Sequence, residues 1–213
     1  MRAYSHFIWD FDGTLVDRYP HSTAAMCAAA ARFGISVDPA QVSRWLRRSF
    51  QTCIEALRLT EAQVAVFRRY HGDMTLPPPI VPFPDAAPTL AALSARGARH
   101  YLYTHSRRRM SVAFLERFAL LPAFDDCMTP DDPAFTPKPD PGALRALLAR
   151  HAIDPADAVM VGDREIDMVS ARGAGIDGIL VDPDRLVPET CAVLRVDTLA
   201  QIAEADARMG RRA

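Results

Sequence analysis

The sequence predicts an α/β architecture, a parallel sheet flanked by helices, interrupted near its start by an inserted helical segment. Three observations predict it. Short apolar runs alternate with helix-length segments through the second half of the chain, and such alternation implies a parallel sheet covered on both faces. Alanine, arginine and leucine dominate a stretch with helical spacing between His21 and Met74. Pro77-Pro78-Pro79, then Pro82 and Pro84, close that stretch. Successive prolines stiffen the backbone, so this segment reads as a return linker from an insertion.

The elements follow in order. Tyr4 to Trp9 is an apolar, aromatic-rich run ending at Asp10, which reads as a buried strand. In the insertion, Gly34 and Asp38-Pro39 break the helical pattern into several short helices, and Leu57, Val64 and Phe67 can face one core. Asp85 to Arg96 reads as a helix stopped by Gly97. Arg99 to Thr104 then reads as strand, Arg107 to Phe118 as helix, and a short strand follows near Cys127. Pro141 to His151 is expected to be helical, Ala158 to Val161 a strand and Ile166 to Ala174 a helix. Gly178 to Val181 is the last expected strand and Asp197 to Ala207 the last helix.

A chain of 213 residues, 49% hydrophobic and 24% charged, has the composition of a soluble domain able to bury a sizeable core. Its 25 basic and 26 acidic residues leave a net charge of −1, which excludes the overall field of a strongly basic nucleic-acid binder. Apolar runs such as Ala24 to Ala31 are too short to span a membrane. No signal-peptide pattern follows Arg2. A cytoplasmic location without membrane or nucleic-acid partners is expected, as a monomer or homodimer. Cys27, Cys53, Cys127 and Cys191 lack C-x-x-C spacing and are expected to be buried free thiols. Only one of the 25 basic residues is a lysine, Lys138, and the chain has no asparagine. Both fit a codon usage that favours arginine.

Asp10-Phe11-Asp12-Gly13-Thr14-Leu15-Val16-Asp17 is the strongest chemical signal. Residues two apart at a strand end point the same way, so Asp10 and Asp12 can share a site. Gly13 permits a tight turn and lets backbone amides approach an anion. Two carboxylates so placed suit a nucleophile beside a general acid/base, although Asp-Gly alone also marks an Asx turn. Thr104 closes a strand, and its hydroxyl with the His105 amide can hold a phosphoryl oxygen or simply cap the next helix. His105 is expected to contribute its backbone alone. Lys138 lies in Thr136-Pro137-Lys138-Pro139-Asp140-Pro141, and in isolation a solvated surface lysine would be the ordinary reading. Asp163 and Asp167, in Gly162-Asp163-Arg164-Glu165-Ile166-Asp167, are one helical turn apart and expected on one helix face. Oxygen ligands at that spacing suit Mg2+, and a capped helix start would look similar.

In order and spacing, Asp10-x-Asp12-Gly13-Thr14, Thr104, Lys138-Pro139 and Gly162-Asp163-x-x-x-Asp167 resemble the haloacid dehalogenase-like superfamily. The resemblance covers essentially the whole chain. It implies a Rossmann-like catalytic core over residues 1–15 and 83–213 and an inserted helical C1 cap over residues 16–82. It further implies a phosphatase resembling phosphoglycolate phosphatases, acting on a small-molecule phosphate ester. Asp10 would be the nucleophile that forms an aspartyl-phosphate. Asp12 would protonate the leaving alcohol and then activate water. Gly13, Thr104, His105 and Lys138 would hold phosphate. Mg2+ would be held by the Asp10 carboxylate, the Asp12 carbonyl and Asp163, with Asp167 in support. The family's dehalogenases lack an aspartate at the position of Asp12, and its sugar-phosphate mutases commonly carry valine at that of Thr14, so hydrolysis of phosphate is favoured. The alternatives are a phosphomutase of the β-phosphoglucomutase type and a non-catalytic phosphate-binding protein.

The cap is expected to close over the site and read the leaving group. Phe33 to Gln41 is a candidate specificity loop. Arg44, Arg47 and Arg48 share helical spacing and could meet an acidic substrate, but a solvated arginine face is the preferred reading. Arg107-Arg108-Arg109 is read the same way. His21 and His71 receive no role, and Trp9 and Trp45 read as packing residues.

Overall fold

The computed structural model describes residues 3–210. The chain divides into two compact units, Met1–Leu15 with Pro82–Ala213, and Val16–Val81. In chain order the elements are β1 (His6–Trp9), β2 (Val16–Asp17), α1 (Tyr19–Ala31), α2 (Pro39–Arg48), α3 (Phe50–Ala56), α4 (Glu61–Gly72) and β3 (Val81–Pro82). They continue with α5 (Ala86–Ser94), β4 (Arg99–Tyr103), α6 (Arg108–Arg117), β5 (Phe124–Met128), α7 (Gly142–Arg150) and β6 (Ala158–Gly162). The last four are α8 (Glu165–Ala174), β7 (Asp177–Val181), β8 (Leu194–Val196) and α9 (Ala200–Gly210).

The larger unit is built on a six-stranded sheet in the order β5-β4-β1-β6-β7-β8, with every described strand pair parallel. The expected α/β class, a parallel sheet with helices, is therefore the class observed. Phe7, Ile8 and Trp9 are all fully buried, because a parallel sheet covered on both faces leaves no strand position for water. Ile8, Tyr101, Tyr103, Met128 and Met160 share one core with Leu144, Leu147 and Leu148 of α7. Phe7 and Trp9 alternate with Ile8, and their rings stack at 5.9 Å. Trp9 donates its indole N–H to His100 Nδ1 at 3.0 Å, and His100 Nε2 meets Ser94 Oγ at 3.0 Å. Burial pushes the His100 imidazole down to about 4.

The topology fixes where a site can form. The chain adds β4 and β5 on one side of β1 and then returns to place β6 on the other. This reversal opens a crevice at the carboxyl ends of β1, β4 and β6, where open parallel sheets bind ligands.

In the helical unit, Met26, Ala29, Ala30, Val42, Leu46, Cys53, Ile54 and Phe67 form one core, with Leu57 and Val64 packed against it. Helix starts are satisfied locally: Asp38 Oδ1 accepts the Ala40 N–H, Ser49 Oγ accepts that of Thr52, and Thr60 and Gln63 form a capping box. His21 is fully buried, its Nδ1 3.0 Å from the Leu76 carbonyl and 3.1 Å from that of Pro78.

Several details depart from expectation. Strand β8 has three half-buried or buried residues, and Arg195 at its centre interrupts the apolar pattern that would announce it. β2 and β3 pair as a separate two-stranded sheet, each too short for a pattern. The last helix starts at Ala200 instead of Asp197; Asp85 Oδ2 accepts the Ala200 N–H. Cys53 and Cys127 are buried free thiols, whereas Cys27 and Cys191 are only half-buried. Among the described residues no helix is long and apolar enough to cross a membrane.

Candidate active site

The register of the central strands sets the site. Trp9 is level with Leu102 and with Val161, so the next residue of each strand turn, Asp10, lies level with Tyr103 and Gly162. Asp10 is anchored by its N–H on the Val161 carbonyl, 2.8 Å, and Thr104 by its N–H on that of Met128, 3.1 Å. Gly13 takes a φ of 92°, a conformation that an L side chain rarely adopts. Gly162 has a different reason to be glycine: a Cβ there would lie 2.4 Å from Asp167 Cγ. Its absence lets the Asp167 side chain fold back against the strand end, where Asp167 Oδ2 accepts the Arg164 N–H at 3.1 Å.

Lys138 reaches this point from the loop before α7. Its Nζ lies 2.5 Å from Asp10 Oδ1, as a hydrogen bond, and 2.7 Å from Asp167 Oδ1, as an ion pair without hydrogen-bond alignment. It also stands 4.8 Å from the centre of the Tyr103 ring. The Lys138 and Asp167 side chains are fully buried and that of Asp10 is 3% exposed. Burial opposes the ammonium, but Asp10 and Asp167 outweigh it and hold Lys138 above its ordinary value. Burial likewise pushes Asp10 up to about 6, with Lys138 pulling it down and Asp167 adding to the rise. Tyr103 is raised to about 12, first by burial. Its hydroxyl donates to the Thr136 carbonyl at 2.7 Å and so ties down the lysine loop.

Asp10, Asp163 and Asp167 each offer one carboxylate oxygen, all within 4.8 Å of one another. Asp10 Oδ2 is buried and accepts no hydrogen bond. A cluster of hard oxygen donors with a buried lone pair turned inward is a chemical match for a divalent cation. The Asp12 carboxylate is outside this cluster; its Oδ2 accepts a 2.6 Å hydrogen bond from Ser106 Oγ.

The loop after β4 uses its side chains more than expected. Thr104 Oγ1 accepts the Ser106 N–H at 2.9 Å. His105 does not contribute its backbone alone: its Nε2 accepts the Lys138 N–H at 2.9 Å. Burial, aided by Lys138 and Arg164, lowers His105 to about 4. Asp163 corrects another expectation. It is not on a helix face with Asp167, because α8 begins only at Glu165 and Arg164 is extended, φ −127° and ψ 155°. Asp163 is a strand-end residue, with Arg164 Nε 3.8 Å from its Oδ1.

Sequence reasoning missed Ser106, Tyr103 and Arg164. Each neighbours a residue that it singled out, and a hydroxyl two positions past Thr104 was a usable signal. Arg107 is a surface residue paired with Asp131 at 3.3 Å. In the helical unit, Arg44 and Arg48 are exposed, as the solvated reading expects, with Arg44 bonding Gln41 at 2.6 Å on the surface; Arg47 departs from it, half-buried and 4.6 Å from the centre of the Tyr19 ring. Trp45 packs against the helical core and Trp9 is buried in the sheet unit, both as expected.

Three clustered acidic side chains at a sheet switch point, two of them paired with one buried ammonium, are the layout of an enzyme that handles phosphoryl groups. The haloacid dehalogenase-like hydrolase family model matches residues 4–175. A phosphoglycolate phosphatase from Cupriavidus necator is 32% identical over 207 residues, covering 92% of this chain and 88% of its own. Phosphoglycolate phosphatase 1 of Pseudomonas aeruginosa is 31% identical over 184 residues, covering 79% of this chain, which spans 66% of that relative's length. A solved hydrolase from Streptococcus pneumoniae TIGR4 superposes with a TM-score of 0.63 at 28% identity, covering 83% of this chain and 91% of that one. The chain belongs to the haloacid dehalogenase-like hydrolases. Within them it is a phosphatase acting on a small phosphate ester.

Proposed function

We propose that this phosphatase is Mg2+-dependent, works through an aspartyl-phosphate on Asp10, and takes a small acidic phosphomonoester of the phosphoglycolate type. The observation that carries the reading is the cluster of Asp10, Asp163 and Asp167 carboxylates, with the buried Lys138 ammonium paired to Asp10 and Asp167. The substrate class rests on the names of the relatives. The helical unit, Val16–Val81, is taken as the family's C1-type cap.

In this reading an Asp10 carboxylate oxygen attacks phosphorus as the bond to the leaving alcohol breaks. Asp12 gives its proton to the leaving oxygen. The same carboxylate, now ionised, takes a proton from water that attacks the phosphorus of the aspartyl-phosphate. Asp10 is released as a carboxylate and inorganic phosphate departs. Asp10, Asp163 and the Asp12 carbonyl would hold Mg2+, with Asp167 supporting it. When bound, Mg2+ supplies positive charge against these carboxylates and the phosphate. Lys138 and Thr104, with backbone amides at Gly13 and His105, would hold the transferring group. Positioned charge of this kind is the main lever in phosphoryl transfer.

The test is a panel of metabolite phosphates that includes 2-phosphoglycolate, assayed with Mg2+ and with a chelator. Hydrolysis that needs Mg2+ and disappears in Asp10→Asn is expected. Full activity in that variant would overturn the nucleophile. A preference for neutral sugar phosphates over acidic esters would overturn the substrate class.

A further inference from the structure

We propose that His105 is a positioning residue: its Nε2 anchors the Pro137-Lys138-Pro139 loop by the Lys138 amide and so sets where the Lys138 ammonium stands. The proposal rests on the reading that Lys138 holds the transferring phosphoryl group. It adds a side chain that the family motifs do not contain.

Proline has no N–H, so the Lys138 N–H is the only backbone donor in Pro137-Lys138-Pro139. It is given to His105 Nε2 at 2.9 Å. An imidazole nitrogen that accepts a hydrogen bond carries a lone pair, so the proton of the neutral ring is on Nδ1. The ring is held edge-on to Phe135, centroids 6.0 Å apart at 78°. The flanks of the loop have other anchors: Tyr103 Oη on the Thr136 carbonyl and the Asp140 N–H on that of Pro137, 3.0 Å. Lys138 itself is gripped at its base by His105 and at its tip by Asp10 and Asp167.

The connection has a geometric consequence. His105 directly follows Thr104, so one short loop sets both the Thr104 hydroxyl and the root of Lys138. Of the loop's anchors, the imidazole is the one that ties the residue after Thr104 directly to the Lys138 backbone, and so links the spacing of two phosphate-holding groups from different parts of the chain. A lysine side chain has four rotatable bonds, and a shift at its root would let the ammonium keep one carboxylate and lose the other.

Two substitutions separate positioning from packing. His105→Phe keeps the ring and the Phe135 contact but removes the acceptor. His105→Gln offers an amide oxygen near the place of Nε2. Both are assayed with an aryl phosphate and Mg2+ beside Lys138→Ala, with Tm recorded. His105→Phe is expected to lower kcat by about tenfold or more, since misplacement of about 1 Å costs about a hundredfold. KM should change far less, and His105→Gln should recover most of the native kcat. In the native protein, NMR should show a through-hydrogen-bond coupling between the Lys138 amide nitrogen and His105 Nε2. That measurement decides the contact even if a variant does not fold. Native turnover in His105→Phe, His105→Gln as slow as His105→Phe, or no coupling would overturn the proposal. Native turnover in Lys138→Ala would instead overturn the reading of Lys138 on which it rests.

Discussion

Ser106 Oγ donates a 2.6 Å hydrogen bond to Asp12 Oδ2, joining the turn after β1 to the loop after β4. The bond holds the Asp12 carboxylate in one orientation and keeps it apart from the Asp10, Asp163 and Asp167 cluster. A general acid matters most when the leaving group is a poor one. Ser106→Ala is therefore expected to slow an alkyl phosphate by about tenfold and a 4-nitrophenyl ester much less. Steady-state rates on the two substrates check this. Equal losses on both would mean that Ser106 does not act through Asp12.

Lys138 is enclosed by Asp10, Asp167 and the Tyr103 ring. A planar guanidinium cannot occupy the place of a compact ammonium there. Lys138→Arg should cost about tenfold or more in kcat. Lys138→Met would leave two buried carboxylates without their counter-charge, a change that typically costs about 3–5 kcal/mol. Urea unfolding in the presence of a chelator measures it. A loss under about 1 kcal/mol would show that the pair is better solvated than its burial implies.

His100 links acid sensitivity to the sheet. Its folded value is about 4 against an ordinary 6.5, with burial as the first cause. Between those values the unfolded chain binds the proton and the folded chain does not. The stability is thus fully present above about pH 6.5 and is lost as the pH falls toward about 4, by roughly 3 kcal/mol for this group. His100→Asn keeps an acceptor for the Trp9 indole and removes the titration. Its unfolding free energy should fall less steeply over that pH window than that of the native chain. Parallel pH profiles would assign the slope to other groups.

The four thiols should divide by burial. Cys53 and Cys127 are both raised to about 11, first by burial, whereas Cys27 and Cys191 are half-buried. A disulfide reagent at pH 8 should react with Cys191 and Cys27 first and with all four only after denaturation. Mass mapping of the modified sites checks the order, and early labelling of Cys53 or Cys127 would contradict it.

The α/β class was legible because a sheet covered on both faces writes itself as uniform apolar runs, as in Phe7-Ile8-Trp9. Strand β8 was not, because a three-residue edge strand needs no such run. The Asp10 motif was legible because strand geometry alone aims both carboxylates. Lys138 could be read only with the other motifs beside it, since a lone lysine is ordinarily solvated. Spacing misplaced Asp163, because one turn of separation looks the same whether or not the helix has begun. The side chains of His105 and Ser106 were illegible for another reason: their partners lie 33 and 94 residues away, and only the folded sheet brings them together.

Lys138 carries the only side-chain primary amine in the sequence, and its side chain has no exposed surface. Amine-directed acylating reagents and cross-linkers therefore find no exposed lysine side chain on the folded molecule. The lysine becomes reactive only when the strand-end cluster opens. The chain thus carries a built-in chemical clock, in which the rate of acylation at one position times the opening of the site that it serves.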